Sequence, residues 1–322
     1  MMESAILDDT DRGLVHALQI DGRASFSMIA NVLGVSENTV ARRYRRLRTA
    51  GVLRVVGSTN GLLLGYTSWT IRVRCTPDAV DAIATVLARR SDTFWVHVLS
   101  GGTEISCNLQ APNDAERDKL LMDKMPRASR VLDVTAHALL GSPGPNQWRG
   151  LHWLATDQAA RLRPTPPQQV EGLIHLDDRD HTLLAALARD GRASYAELAA
   201  DTGWSESTVK RRIDHLRQVG VLVFDVDIPP AVLGYYTEAR LWLTVRPSAL
   251  LKVANDLARH PEISFTAITT GRTNLVAAVI CRDSSDLYQY LTERISSLKD
   301  VHTMETAPLI RTVKRAGAVL PR

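Results

Sequence analysis

The 322-residue sequence predicts an α+β fold in which every element occurs twice: two winged helix-turn-helix domains alternating with two ferredoxin-like (βαββαβ) domains. Three observations predict it. A motif recurs in register along the chain. The first part of each copy has helical periodicity broken by a glycine turn. The rest of each copy alternates strand-like and helix-like stretches.

Residues 8–26 read DDTDRGLVHALQIDGRASF, and residues 177–195 read DDRDHTLLAALARDGRASY. Asp-Gly-Arg-Ala-Ser recurs at Asp21–Ser25 and Asp190–Ser194, an offset of 169 that also pairs Gly34/Gly203, Thr39/Thr208, Arg42/Arg211 and Gly65/Gly234. One inserted residue then makes it 170, pairing Pro77/Pro247 and Gly101/Gly271. Two copies this long fit a duplicated two-domain unit better than a solenoid. The expected divisions are 1–60 and 173–230 for the helix-turn-helix domains, 61–141 and 231–322 for the ferredoxin-like domains, and 142–172 for a linker. Proline clusters bound that linker, yet it carries Trp148, Leu151, Trp153 and Leu154. So much apolar surface predicts that it packs against one half.

A net charge of +4 permits a polyanionic partner without demanding one. No apolar run approaches the roughly 18–20 residues of a membrane helix, and the N-terminus lacks the pattern of a signal peptide. Cys75, Cys107 and Cys281 are far apart with no Cys-x-x-Cys, which predicts reduced, buried thiols in a cytoplasmic protein. There is no phosphate-binding loop, metal-ligand cluster or Gly-x-Ser-x-Gly elbow, so no catalytic residue, metal or cofactor is expected.

In the first copy, Asp8 or Asp9 caps a helix ended by Asp21-Gly22, and a short helix follows over about Ser27–Leu33. Gly34-Val35-Ser36 makes a tight turn into a third helix, about Glu37–Ala50, and Val52–Val56 reads as a wing strand. Helix, glycine turn, helix is a DNA-reading arrangement. On the third helix Val40, Tyr44 and Leu47 share the core face, with Asn38, Arg42 and Arg45 opposite. Five arginines between 42 and 48 face a single acid, Glu37. Such a face suits base edges and phosphates of double-stranded DNA. The expected contacts are Asn38, Thr39, Arg42, Arg43, Arg45 and Arg46. In the second copy they are Ser207, Thr208, Lys210, Arg211, Arg212 and His215. Arg43 and Arg212 lie nearer the core, where an ion pair to the first helix competes with phosphate contact. Asp214 stands where the first copy has Arg45, so the two faces are expected to read different half-sites or to contribute unequally.

Thr67–Cys75 alternates as a strand with one wet face. It is followed by a helix at Pro77–Arg90, strands at Phe94–Leu99 and Ile105–Leu109, a helix at Asn113–Met125 and a strand at Val131–Leu140. The second copy repeats the order over Ala239–Lys314.

The chain resembles the Lrp/AsnC (feast/famine) transcriptional regulators. The resemblance rests on Leu-Asp-Asp-Thr-Asp at 7–11, Asp-Gly-Arg-Ala-Ser at 21–25, Ser36–Val40 with Arg42-Arg43, and Ala50–Leu53, each echoed in the second copy. It covers the chain apart from the linker and looks like the double-length type. It implies a winged helix-turn-helix joined to a RAM domain, an internal pseudo-dimer that self-associates further, and a nucleoid-associated regulator. It also implies a small effector, an amino acid or related metabolite, bound beside the turns Gly101, Thr103, Glu104 and Gly271, Thr273, Asn274. The family's turn carries an aspartate where this chain has Glu104 and Asn274, and a plain hairpin competes with the effector role at both.

Two alternatives remain. Related two-domain proteins are sirohaem decarboxylases, for which His97, His137, His152 and His175 would be the candidates, without catalytic spacing. An architectural protein binding DNA broadly would show a specificity ratio near unity.

Overall fold

The computed structural model describes residues 7–113, 115, 118, 130–142, 148, 153–168 and 170–320. It divides into two units, one of residues 1–65 and 151–233, the other of residues 66–150 and 234–322.

The first unit holds both helix-turn-helix segments. In the first copy, α1 (Asp9–Ile20), α2 (Phe26–Leu33) and α3 (Glu37–Thr49) precede strand β1 (Arg54–Thr59). Asp8 caps α1 in a reciprocal box with Asp11, Ser25 caps α2 and Ser36 caps α3. Gly34 takes the left-handed conformation (φ 68°) that the turn requires. The second copy, α6 (Asp178–Arg189), α7 (Tyr195–Thr202), α8 (Glu206–Gln218) and β6 (Leu222–Asp227), repeats the caps with Asp177, Ser194 and Ser205. The strand expected at Val52–Val56 forms slightly later, and β1 pairs antiparallel with β6 of the other copy, Arg54 opposite Asp227 and Thr59 opposite Leu222.

The Asp-Gly-Arg-Ala-Ser loops cross between the copies. Arg23 donates to the Gly191 and Ala193 carbonyls at 3.1 Å each, and Arg192 donates to the Gly22 and Ala24 carbonyls at 2.7 and 3.0 Å. Each guanidinium also lies over two rings of this unit, Arg23 over Tyr195 and Phe224, Arg192 over Phe26 and Tyr44. Arg48–Asp190 (2.6 Å) and Arg217–Asp21 (2.9 Å) complete the reciprocal clamp.

The second unit is a ring of strands. Its first half contributes β2 (Thr67–Cys75), α4 (Val80–Arg89), β3 (Thr93–Leu99), β4 (Glu104–Ala111) and β5 (Val131–Gly141). The helix expected at Asn113–Met125 lies almost wholly outside the described residues. The second half contributes β7 (Thr237–Val245), α9 (Leu250–Ala258), β8 (Ile263–Thr269), β9 (Leu275–Cys281), α10 (Ser284–Gln289) and β10 (Val301–Arg315). A π turn at Tyr290–Ile295 follows α10, and a short β11 (Ala318–Val319) follows β10. The order β3-β4-β2-β5 is matched by β8-β9-β7-β10, the ferredoxin-like order in both halves. β5 pairs with β8 and β10 with β3, so the edge strands of each half are covered by the other. The two seams are equivalent, Leu139 opposite Thr269 and Leu309 opposite Leu99. Each sheet has its own core beneath its helices, and a third cluster of Leu99, Trp242, Ala267, Val276 and Ala307 fills the space between the sheets. Cys75, Cys107 and Cys281 are buried and free.

Linker residues engage both units, which corrects the expectation that the segment rests on one half. In the ring unit the Trp148 indole donates to the Pro261 carbonyl at 3.0 Å and packs edge-on to Tyr235. In the helix-turn-helix unit the Trp153 and Leu154 amides donate to His16 Nδ1 at 3.2 and 2.9 Å. There α5 (Thr156–Leu162) buries Leu162, and Gln158 donates to the Val32 carbonyl at 2.9 Å. Leu151 lies outside the described residues.

Candidate nucleic-acid interface and effector pocket

Val40, Tyr44 and Leu47 bury one side of α3, as their spacing requires, and Val209, Ile213 and Leu216 do the same on α8. That leaves Asn38, Arg42 and Arg45 exposed on the first helix, and Ser207, Lys210, Arg211, Asp214 and His215 on the second. Among the described residues, none of Arg42, Arg45, Lys210 and Arg211 has a carboxylate within 4.0 Å. Thr39 and Thr208 are half-buried and share hydrogen bonds with the capping Ser36 and Ser205 at 2.9 Å each, at the positive end of each helix.

Arg43, Arg46 and Arg212 are placed differently: each pairs with an acid of the first helix of its copy, the alternative that the sequence left open for Arg43 and Arg212. Arg43 Nη1 donates to Asp8 at 2.6 Å and Asp11 at 3.0 Å, while Arg46 also pairs with Asp11. Arg212 grips Asp180 through Nε and Nη2 at 2.6 and 2.5 Å. Asp11 and Asp180 are the third helical residues of their capping boxes and are almost fully buried. A buried carboxylate needs a cation, and arginines of the third helix of each copy supply it. These bridges fasten α3 to α1 and α8 to α6 and so orient the reading helices.

Burial opposes ionisation of Asp180, but Arg212 and the Asp177 interaction outweigh it and hold the carboxyl below its usual range. A depressed carboxyl pKa adds stability above the unfolded value, about 3.9, that disappears as pH falls through the folded value. Asp180→Asn is therefore expected to lower the thermal midpoint at pH 7, with the gap to the unaltered chain closing toward pH 3. Calorimetric scans across that window check this, and a gap independent of pH would contradict it.

In the ring unit the first effector turn opens onto a cavity of about 440 Å³, lined by Arg72, Arg74, Ser100, Thr103, Glu104, Asp133, Thr135 and Glu305. Gly101 (φ 72°) has nothing within 4 Å of an added Cβ, so the turn is uncrowded. Glu104 lies beside the expected effector site. It is buried and accepts from Arg72 Nε at 2.6 Å. The same guanidinium donates to both Glu305 oxygens at 2.9 and 2.6 Å and lies 3.8 Å over the Trp242 ring. Burial works against the Arg72 charge, but Glu305 and Glu104 outweigh it and keep the side chain protonated. Sequence reasoning missed Arg72, Arg74, Asp133 and Glu305, which converge only when β2, β5 and β10 come together.

The second turn is built otherwise. Asn274 Oδ1 accepts from the Val245 amide and Nδ2 donates to the Val245 carbonyl, both at 2.8 Å, so its polar atoms serve the backbone. An added Cβ on Gly271 (φ 99°) would fall 2.0 Å from His137 Cε1, so that ring lies directly on the turn. The Thr273 carbonyl accepts from Thr269 Oγ1 at 2.8 Å. At the register positions of Arg72, Arg74 and Asp133 stand Trp242, Thr244 and Thr303, and the two threonines bond each other at 2.9 Å. The positions that match Arg72, Arg74, Glu104 and Asp133 are thus uncharged at the second turn.

Of the histidines weighed for decarboxylase chemistry, His97 is sealed in the ring, His137 covers Gly271 and His175 is exposed in the other unit. His152 lies outside the described residues. Among the described residues no three His, Cys, Asp or Glu side chains converge as metal ligands, and no helix is long and apolar enough to cross a membrane.

An AsnC-type helix-turn-helix domain matches at residues 7–48 and 176–217, and an Lrp/AsnC ligand binding domain at 238–319. An uncharacterized HTH-type transcriptional regulator of Pyrococcus abyssi is 30% identical over 145 residues, 45% of this chain and 91% of its own. The HTH-type transcriptional regulator FL11 of Pyrococcus horikoshii is 33% identical over 142 residues, 44% of this chain and 93% of its own. The crystal structure of the siroheme decarboxylase NirDL superposes with a TM-score of 0.63 over 96% of this chain and 93% of its own. At 17% identity, that likeness is one of fold.

Proposed function

The chain belongs to the Lrp/AsnC family of DNA-binding transcriptional regulators, and from that premise we propose that it reads two unlike DNA half-sites and senses one effector per chain. The observation that carries the DNA reading is the exposed face of α3, where Arg42 and Arg45 have no carboxylate within 4.0 Å among the described residues. Arg42 and Arg45 reach base edges and phosphates with Asn38 beside them, while Lys210 and Arg211 do so on α8, where Asp214 repels phosphate and accepts from cytosine. Arg43, Arg46 and Arg212 support these helices from behind. Retention of this face favours a regulator over an enzyme, because a helix-turn-helix kept only as a relic has no use for it.

The effector is a zwitterion such as a free amino acid, held in the cavity of the first turn. Its ammonium meets Asp133 and Glu305, and its carboxylate meets Arg74 and the Thr103 hydroxyl. The second turn, covered by His137, takes none. Effector binding shifts which DNA-bound arrangement is populated, and further chains assemble on the ring unit.

Calorimetric titration of the full chain with the free L-amino acids, with and without DNA, tests the sensing. One binding event per chain is expected, weakened at least tenfold by Arg74→Ala. Two equal sites per chain would sink the one-sided reading. Genome-wide occupancy with and without the effector tests the regulator reading, and uniform occupancy of random DNA would favour an architectural role.

A further inference from the structure

Two residues beyond the apolar cluster between the sheets, the same strand faces turn polar. On β3, Leu99 is followed along its face by His97 and Trp95, and on β7, Trp242 is followed by Arg240 and Glu238. β10 spans both, with Thr312 opposite His97 and Ala307 opposite Arg240. His97 is 3% exposed, its ring stacks on Trp95 at 5.8 Å, and Nδ1 meets Thr312 Oγ1 at 3.2 Å. Its Nε2 is buried without a hydrogen-bond partner among the described residues. Arg240 is 7% exposed and lies 6.0 Å over the Phe265 ring, with no carboxylate within 4.0 Å among the described residues, the Glu238 charge acting on it from farther away.

We propose that this region is a second ligand site, for a small organic carboxylate with a flat apolar body, in which Arg240 and His97 Nε2 hold the carboxylate and Trp95 and Phe265 flank the body. A buried guanidinium without a carboxylate and an orphaned buried imidazole nitrogen are both costly, and one bound anion answers both. Burial, with Arg240 and Arg315 adding to it, keeps His97 neutral and its pKa well below the usual range. Burial also lowers the Arg240 pKa to about 10 and raises that of Glu238. Trp95 and Glu238 are only half-buried, so the sealed pair lies behind a wetter rim through which a ligand enters.

The site occurs once. The repeat places Thr70, Ser68 and Ala267 where it has Arg240, Glu238 and His97. It shares no residue with the cavity at the first effector turn and stands whether or not that cavity binds an amino acid.

Benzoate is the probe, added to the full chain carrying labelled histidine, with the His97 ring resonances followed by NMR and assigned through His97→Gln. Saturable movement at one benzoate per chain is expected, with benzyl alcohol at least tenfold weaker. Arg240→Met is expected to weaken benzoate at least tenfold without lowering the thermal midpoint, because it removes an unpaired buried charge. Resonances that stay fixed in millimolar benzoate, an equal response to benzyl alcohol, or unchanged affinity in Arg240→Met would each overturn the site. Should Arg240→Met fail to fold, the comparison of benzoate with benzyl alcohol on the unaltered chain decides.

Discussion

A chain carrying Arg23→Met and Arg192→Met is expected to lose about 2–4 kcal/mol of stability in its helix-turn-helix unit, and with it tight binding to DNA bearing both half-sites. Each guanidinium satisfies two carbonyls of the other copy's loop, and methionine leaves those acceptors bare. The aromatic faces beneath each guanidinium add to the loss. Burial lowers the pKa of both arginines, so relief of their desolvation offsets part of it. The β1–β6 pairing remains, so the unit folds but its two copies lose their fixed spacing. Thermal unfolding and footprinting check this. A midpoint drop on the order of 5–15 °C with at least tenfold weaker binding is expected, and an unchanged midpoint would show that the loops merely touch.

The same motif shows what sequence could and could not reveal. Asp-Gly-Arg-Ala-Ser marks the duplication, but nothing within five residues tells that its arginine serves the other copy. That role exists only where two loops meet. Positions set by local periodicity were legible: Val40, Tyr44 and Leu47 face inward as their 100° spacing demands, and Thr67–Cys75 forms the strand its alternation predicts. Arg43 and Arg212 were ambiguous because their partners, Asp11 and Asp180, are 32 residues away. At the effector turns the partners are again remote in sequence. Glu104 is an acid at a turn in sequence, but in the fold it is the inner half of a clamp on Arg72. The difference between the turns comes from His137, which lies on Gly271, while its repeat counterpart on β10 is Ala307.

The unlike reading faces give the second large effect. Arg42→Ala with Arg45→Ala removes two exposed guanidiniums that no acid among the described residues engages. A lost bidentate base contact costs about 1–3 kcal/mol. Each lost phosphate contact lowers the slope of log affinity against log salt by about 0.9. The double variant is therefore expected to bind its site 10²- to 10³-fold more weakly in 0.1 M salt, with a visibly flatter salt dependence. Arg211→Ala acts on a face where Asp214 already opposes phosphate and His215 stands in place of Arg46. It is expected to cost about tenfold or less and to leave most of the slope intact. Its counterpart Arg42→Ala alone gives the like-for-like comparison. Both single variants keep the Arg43–Asp11 and Arg212–Asp180 bridges that seat the helices, so equal thermal midpoints would place any difference at the DNA surface. If Arg42→Ala and Arg211→Ala lose affinity and salt slope equally on a palindromic operator, the copies read DNA alike. The Arg45-to-Asp214 exchange would then lie outside the contact, and the functional asymmetry would be confined to the ring unit.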